Sequence, residues 1–117
     1  MEKEFVPYEL AVKLKKLGFD EPCLLSWNLY THEVNFNGQP SKFTSEDVIQ
    51  LPTFSQAFRW FREKYDFYVV IKPFNSEFSC IIWTSKAQNH IGIFKTYEEA
   101  ELACLDKLIE IVESNSE

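Results

Sequence analysis

Two threonines set the frame of this chain: Thr53 and Thr96 each stand three positions before a Gln or Glu, in T-F-S-Q and T-Y-E-E, ahead of a stretch with helical apolar spacing. A hydroxyl so placed accepts from an otherwise orphan N–H of the first turn while the later residue reaches back, so each marks a helix start. Between the two helices lie extended runs at residues 67–72, 78–84 and 90–95, separated by Pro73-Phe74-Asn75-Ser76 and by a polar stretch at 85–89. Separations this short return a chain antiparallel to itself, which predicts a three-stranded meander. Behind Thr53, the side chains of Phe54, Ala57, Phe58, Phe61 and Tyr65 fall within about 100° of a helical wheel, enough to seat the helix on a sheet. Behind Thr96 the arc is broader. Tyr97, Ala100, Cys104, Leu108 and Ile111 share one side, and Leu102, Leu105, Ile109 and Val112 extend it, so a helix running to about Glu113 is read as central.

The first half is patterned more weakly. Leu10, Leu14 and Leu17 follow Pro7 at helical spacing, and Gly18 and Phe19 close that helix. Residues 23–36 alternate around Thr31-His32-Glu33 and read as a hairpin, and Asn37-Gly38 reads as a second reversal that returns residues 39–43 along an edge set by Pro40. Residues 41–51 are ambiguous, with one helical turn as the reading of S-E-D-V-I-Q. The expectation is a single α+β domain, 1–117, with an antiparallel sheet of about five strands packed by three helices. The expected order is α-β-β-α-β-β-β-α, with 113–117 a frayed tail.

Charge narrows the partners. The 117 residues carry 12 Lys and Arg against 18 Asp and Glu, a net charge of −6. Seven of the acids and one base fall in residues 97–117, leaving eleven of each in the rest. Glu99, Asp106, Glu110 and Glu113 lie within about 60° of the wheel and form an acidic ridge, either a solvated helix face or a surface that steers a basic partner. Arg59, Trp60, Arg62 and Lys64 form a basic, aromatic flank, suited to a protein hot spot or to nucleic acid, or simply a solvated flank with Trp60 packed inward. The helix, three strands and helix from Phe54 onward follow the order of a double-stranded RNA-binding domain. Glu98, Glu99 and Glu101 stand where such a domain presents lysines to phosphate, so direct nucleic-acid binding is not expected.

Chemistry-bearing patterns are sparse. Cys23, Cys80 and Cys104 include no C-x-x-C; Cys80 and Cys104 read as small buried hydrophobes, and a reducing compartment fits. His32 and His90 fall in different hairpins without ligand-spaced neighbours, so no metal is expected. Gly18, Gly38 and Gly92 are too far apart for a phosphate loop, and no G-x-S-x-G occurs. The reading is a non-enzyme without cofactor, with a Cys23–His32 pair across the first hairpin as the minor catalytic alternative. No basic, apolar leader and no run of about 20 apolar residues is present, which places the protein in the cytoplasm without membrane contact. The 11 Phe, 5 Tyr and 3 Trp are more rings than a small domain hides, and they point to a contact surface; Trp27, Tyr30 and Phe36 are a candidate patch near the first hairpin.

The stretches FVPYELAVKLKKLGFDEPC, TFSQAFRWFREKY and TYEEAELACLDKLIEIVE, about half the chain, resemble a group of small uncharacterised proteins encoded by bacterial phages and prophages. The resemblance implies an accessory protein of a mobile element. Short acidic proteins in that setting inhibit host defence by binding a defence protein, as anti-CRISPR proteins do. The implied partner is a host protein or ribonucleoprotein in the host cytoplasm.

Overall fold

The structure, a computed structural model, describes residues 4–41 and 48–115. The elements run α1 (Tyr8–Lys16), β1 (Cys23–Asn28), β2 (Glu33–Ser41), β3 (Val48–Leu51), α2 (Phe54–Tyr65), β4 (Tyr68–Phe74), β5 (Glu77–Trp83), β6 (Gln88–Phe94) and α3 (Tyr97–Asn115). They separate into two compact units, residues 1–53 and 54–117.

In the first unit, α1 starts behind Pro7 and buries Ala11 and Leu14. Gly18, at φ 101°, turns the chain left-handed so that its N–H reaches Lys15 O (3.0 Å) and the Phe19 N–H reaches Leu14 O (3.0 Å). Those bonds satisfy carbonyls the helix end leaves open, and the buried Phe19 folds back as expected. The sheet order is β2-β1-β3, all antiparallel. Asn28 Oδ1 accepts from the N–H groups of Tyr30 (2.8 Å) and Thr31 (3.1 Å), which shapes the β1–β2 loop.

Two expectations are corrected here. Asn37-Gly38 does not reverse the chain; β2 runs through it to Ser41. Between the pairs Leu25↔Phe36 and Cys23↔Ser41, β1 advances two residues and β2 five, so the turn-prone residues are absorbed in a bulge of an outer strand, where Pro40 is tolerated. Val48–Leu51, of which 48–50 read as part of a helical turn, is the third strand: Val48, Ile49 and Leu51 suit a pleated ladder on β1. The rest of that proposed turn, residues 45–47, lies outside the described residues.

In the second unit, β4, β5 and β6 form the expected meander, with Asn75 and Ser76 both at positive φ in the tight β4–β5 turn. Ile91 bulges beside Gly92, whose φ of 154° is one that side-chain-bearing residues rarely adopt; a Cβ there would stand 3.3 Å from the Phe94 ring, which would have to shift by a few tenths of an ångström. α3 packs over all three strands, and α2 packs against β4 and α3. Cys80, Ala100 and Cys104 centre the core, surrounded by Phe58, Val69, Ile71, Phe78, Ile91 and Phe94. Thr96 Oγ1 accepts from the Glu99 N–H (3.1 Å) and donates to Glu99 Oε1 (3.1 Å), a cap on α3. That helix continues to Asn115, so residues 113–115 are helical rather than frayed.

The fold of the described residues is therefore α+β with three helices, as expected, but with six strands in two three-stranded sheets instead of one sheet of about five. β1 takes a neighbour on each side from its own unit, and the meander pairs only consecutive strands, so local pairing accounts for both sheets.

Candidate interaction surface

The first unit holds an apolar groove of about 400 Å³, within the usual range of ligand-binding clefts. Phe5, Pro7 and Tyr8 form one wall, and Leu25, Trp27, Val34 and Leu51 form the floor. The register explains the floor. Leu25 pairs with Leu51 and Trp27 with Val34, so these four share one face of the sheet. The N-terminal wall is held by the Val6 N–H, which donates to Pro52 O (2.8 Å), and by the bridge between Phe5 and Thr53. Tyr8 and Trp27 face each other with ring centroids 5.2 Å apart, and His32 stands 6.4 Å from Trp27 on the loop side.

Beside the groove, Val34 (52% exposed) and Phe36 (67%) project from β2, and Tyr30 (84%) caps the loop. Among the described residues β2 is an outer strand, with no strand paired on its far side. Exposed apolar side chains on an open strand edge are a template for another extended chain. Of the three rings expected near this hairpin, Tyr30 and Phe36 lie in solvent and Trp27 lines the groove.

The residues singled out from charge all lie in the second unit. Glu99, Asp106, Glu110 and Glu113 are all exposed on α3. Glu99 is engaged in the Thr96 cap, and Glu110 pairs with Lys107 (3.2 Å), an exposed contact worth about 0–1 kcal/mol. Arg59, Arg62 and Lys64 are exposed on α2, but Trp60 is buried at 6% exposure. Its indole meets Phe61 and Tyr65 edge-on, at 5.0 and 5.7 Å, and the Lys64 ammonium sits 4.8 Å from its ring centroid. Trp60 thus anchors the flank from inside and does not present its ring to a partner, which is the inward-packed alternative among the readings of this flank. The groove was missed because it joins Phe5–Tyr8 to a strand whose pairing was not legible in the sequence.

Cys80 and Cys104 are fully buried, as expected, and are in addition joined by a disulfide linking β5 to α3, Cα atoms 6.7 Å apart. Cys23 is buried, and its Sγ donates to Glu21 O (3.4 Å). It stands at the opposite end of the β1–β2 hairpin from His32, so the structure does not bring that pair together. Among the described residues, no group of three or more His, Cys, Asp or Glu is placed to hold a metal, and no helix is long and apolar enough to cross a membrane. Neither a family model, nor a curated protein, nor a solved structure matches this chain.

Proposed function

We propose that this chain is a non-enzymatic phage or prophage accessory protein that binds a host protein or protein–RNA complex in the host cytoplasm and thereby inhibits a host defence system. The observation that carries the reading is the apolar groove of the first unit, with Tyr30, Val34 and Phe36 exposed beside it on an outer strand. An extended partner segment can add to the free edge of β2 through main-chain hydrogen bonds, with its alternate side chains falling beside Val34 and Phe36. The acidic ridge of α3 has a separate role in this reading. Exposed charge raises encounter rate and selects a basic partner, whereas desolvated apolar contact sets how long the complex lasts.

The test is affinity capture of the tagged full chain from host lysate, with and without nuclease, alongside a Val34→Glu, Phe36→Glu variant. A stoichiometric, nuclease-resistant host protein that the variant loses supports the proposal. Capture of nucleic acid alone, removed by nuclease or moderate salt, favours the second reading instead: a nucleic-acid module using Arg59, Arg62 and Lys64. That reading draws on the helix, three-strand and helix order of the second unit, and it is opposed by the acids at the start of α3.

A further inference from the structure

The second unit has a face that its helices do not use. Val69, Ile71, Phe78 and Cys80 point towards the α3 core, so their sequence neighbours point the other way. A solvated antiparallel face ordinarily reads polar. Here its rows are Tyr68 with Trp83 and Gln88, Val70 with Ile81 and His90, and Lys72 with Ser79 and Ile93, with Phe74 and Glu77 at the end. Tyr68, Val70, Phe74, Trp83 and Ile93 remain between 39 and 48% exposed.

We propose that this outer face of β4–β6 is a self-association surface that pairs two copies of the chain, sheet against sheet. Charge selects the occupant. The outward positions carry only Lys72 and Glu77, which offset each other, although the chain as a whole is at −6. A basic protein or nucleic acid gains nothing from a neutral face. A second copy can meet it with its acidic α3 held on the far side of its own sheet. With layer spacings of about 10 Å, the two α3 helices stand roughly 30 Å apart, beyond the screening length of about 8–10 Å.

Area sets the strength. Nearly half of each of five large apolar side chains amounts to on the order of 450 Å² per copy, about 900 Å² for the pair, before the rim of Gln88, His90 and Lys72 is counted. That is close to the floor of about 1,000 Å² for a specific interface, so the dimer is weak and forms at micromolar concentrations and above.

Sedimentation equilibrium of the full chain from about 1 μM to about 1 mM reads this directly. The expected result is a mass rising from monomer to dimer, with Trp83→Lys and, separately, Ile93→Lys raising the dissociation constant at least about tenfold. Circular dichroism establishes that each variant is folded, and two variants on different strands guard against one of them failing to fold. A monomer throughout the range overturns the proposal, as does a dimer that neither variant weakens.

Discussion

The two units present apolar surface in different ways. In residues 54–117, α2 and α3 seal one face of the sheet around Cys80, Ala100 and Cys104, and the apolar surface left over is the sheet's other face. In residues 1–53, an N-terminal strap and a β2 strand exposed from Glu33 to Phe36 leave a concavity instead. A sheet face suits another sheet, whereas a groove beside an open strand edge suits an extended segment. Two apolar surfaces of similar composition are thereby suited to different partners.

The comparison is sharpest where the units differ in burial. Phe61→Ala removes a fully buried ring and is expected to cost about 3–5 kcal/mol, whereas Phe36→Ala on the open strand stays within about 0.5 kcal/mol; urea unfolding followed by circular dichroism measures both. Equal losses would mean that β2 is covered after all. Next in size is the Cys80–Cys104 disulfide, whose closed loop of 24 residues predicts a loss of about 3 kcal/mol on reduction or in Cys104→Ser. Thr96→Ala removes the α3 cap and is expected to cost about 1 kcal/mol in the same assay.

The smallest effect is on pH dependence. Burial, and then the Glu101 carboxylate, raise the Tyr97 hydroxyl above its ordinary value near 10. Its folded form holds the proton longer than its unfolded form does. Its contribution to stability is therefore full below pH 10 and is lost as pH rises through the raised value, a loss that Tyr97→Phe abolishes in melts at alkaline pH.

The second unit was the more legible in the sequence because its signals are local and agree: a capping box at Thr96, helical stripes of 12 and 19 residues, and three runs with turn residues between them. In the first unit the β1–β2 hairpin around Thr31-His32-Glu33 was legible, but the course of β2 beyond Phe36 and the β1–β3 pairing depended on contacts that local signals do not carry. Asn37-Gly38 has the composition of a tight turn, but the long β2 strand absorbs it, and Val48–Leu51 is too short for its period to be told from a helical turn. The charged residues were legible as exposed positions on α2 and α3 because wheel geometry predicts solvent faces well. The groove was not legible, since Phe5, Trp27, Val34 and Leu51 meet only once strand register is fixed. Trp60 illustrates the converse: a ring outside the main stripe is still buried when Phe61 and Tyr65 close around it.

The central claim is that the groove of the first unit, and not the charge of the second, holds the partner. The most direct test is the dissociation rate of the captured host protein from three immobilised chains: unmodified, Val34→Glu with Phe36→Glu, and a fourfold Lys replacement of Glu99, Asp106, Glu110 and Glu113. The account predicts dissociation at least about a hundredfold faster for the groove variant, and, for the ridge variant, an unchanged dissociation rate with association slowed at low salt. A groove variant that keeps the partner while the ridge variant releases it would contradict the account.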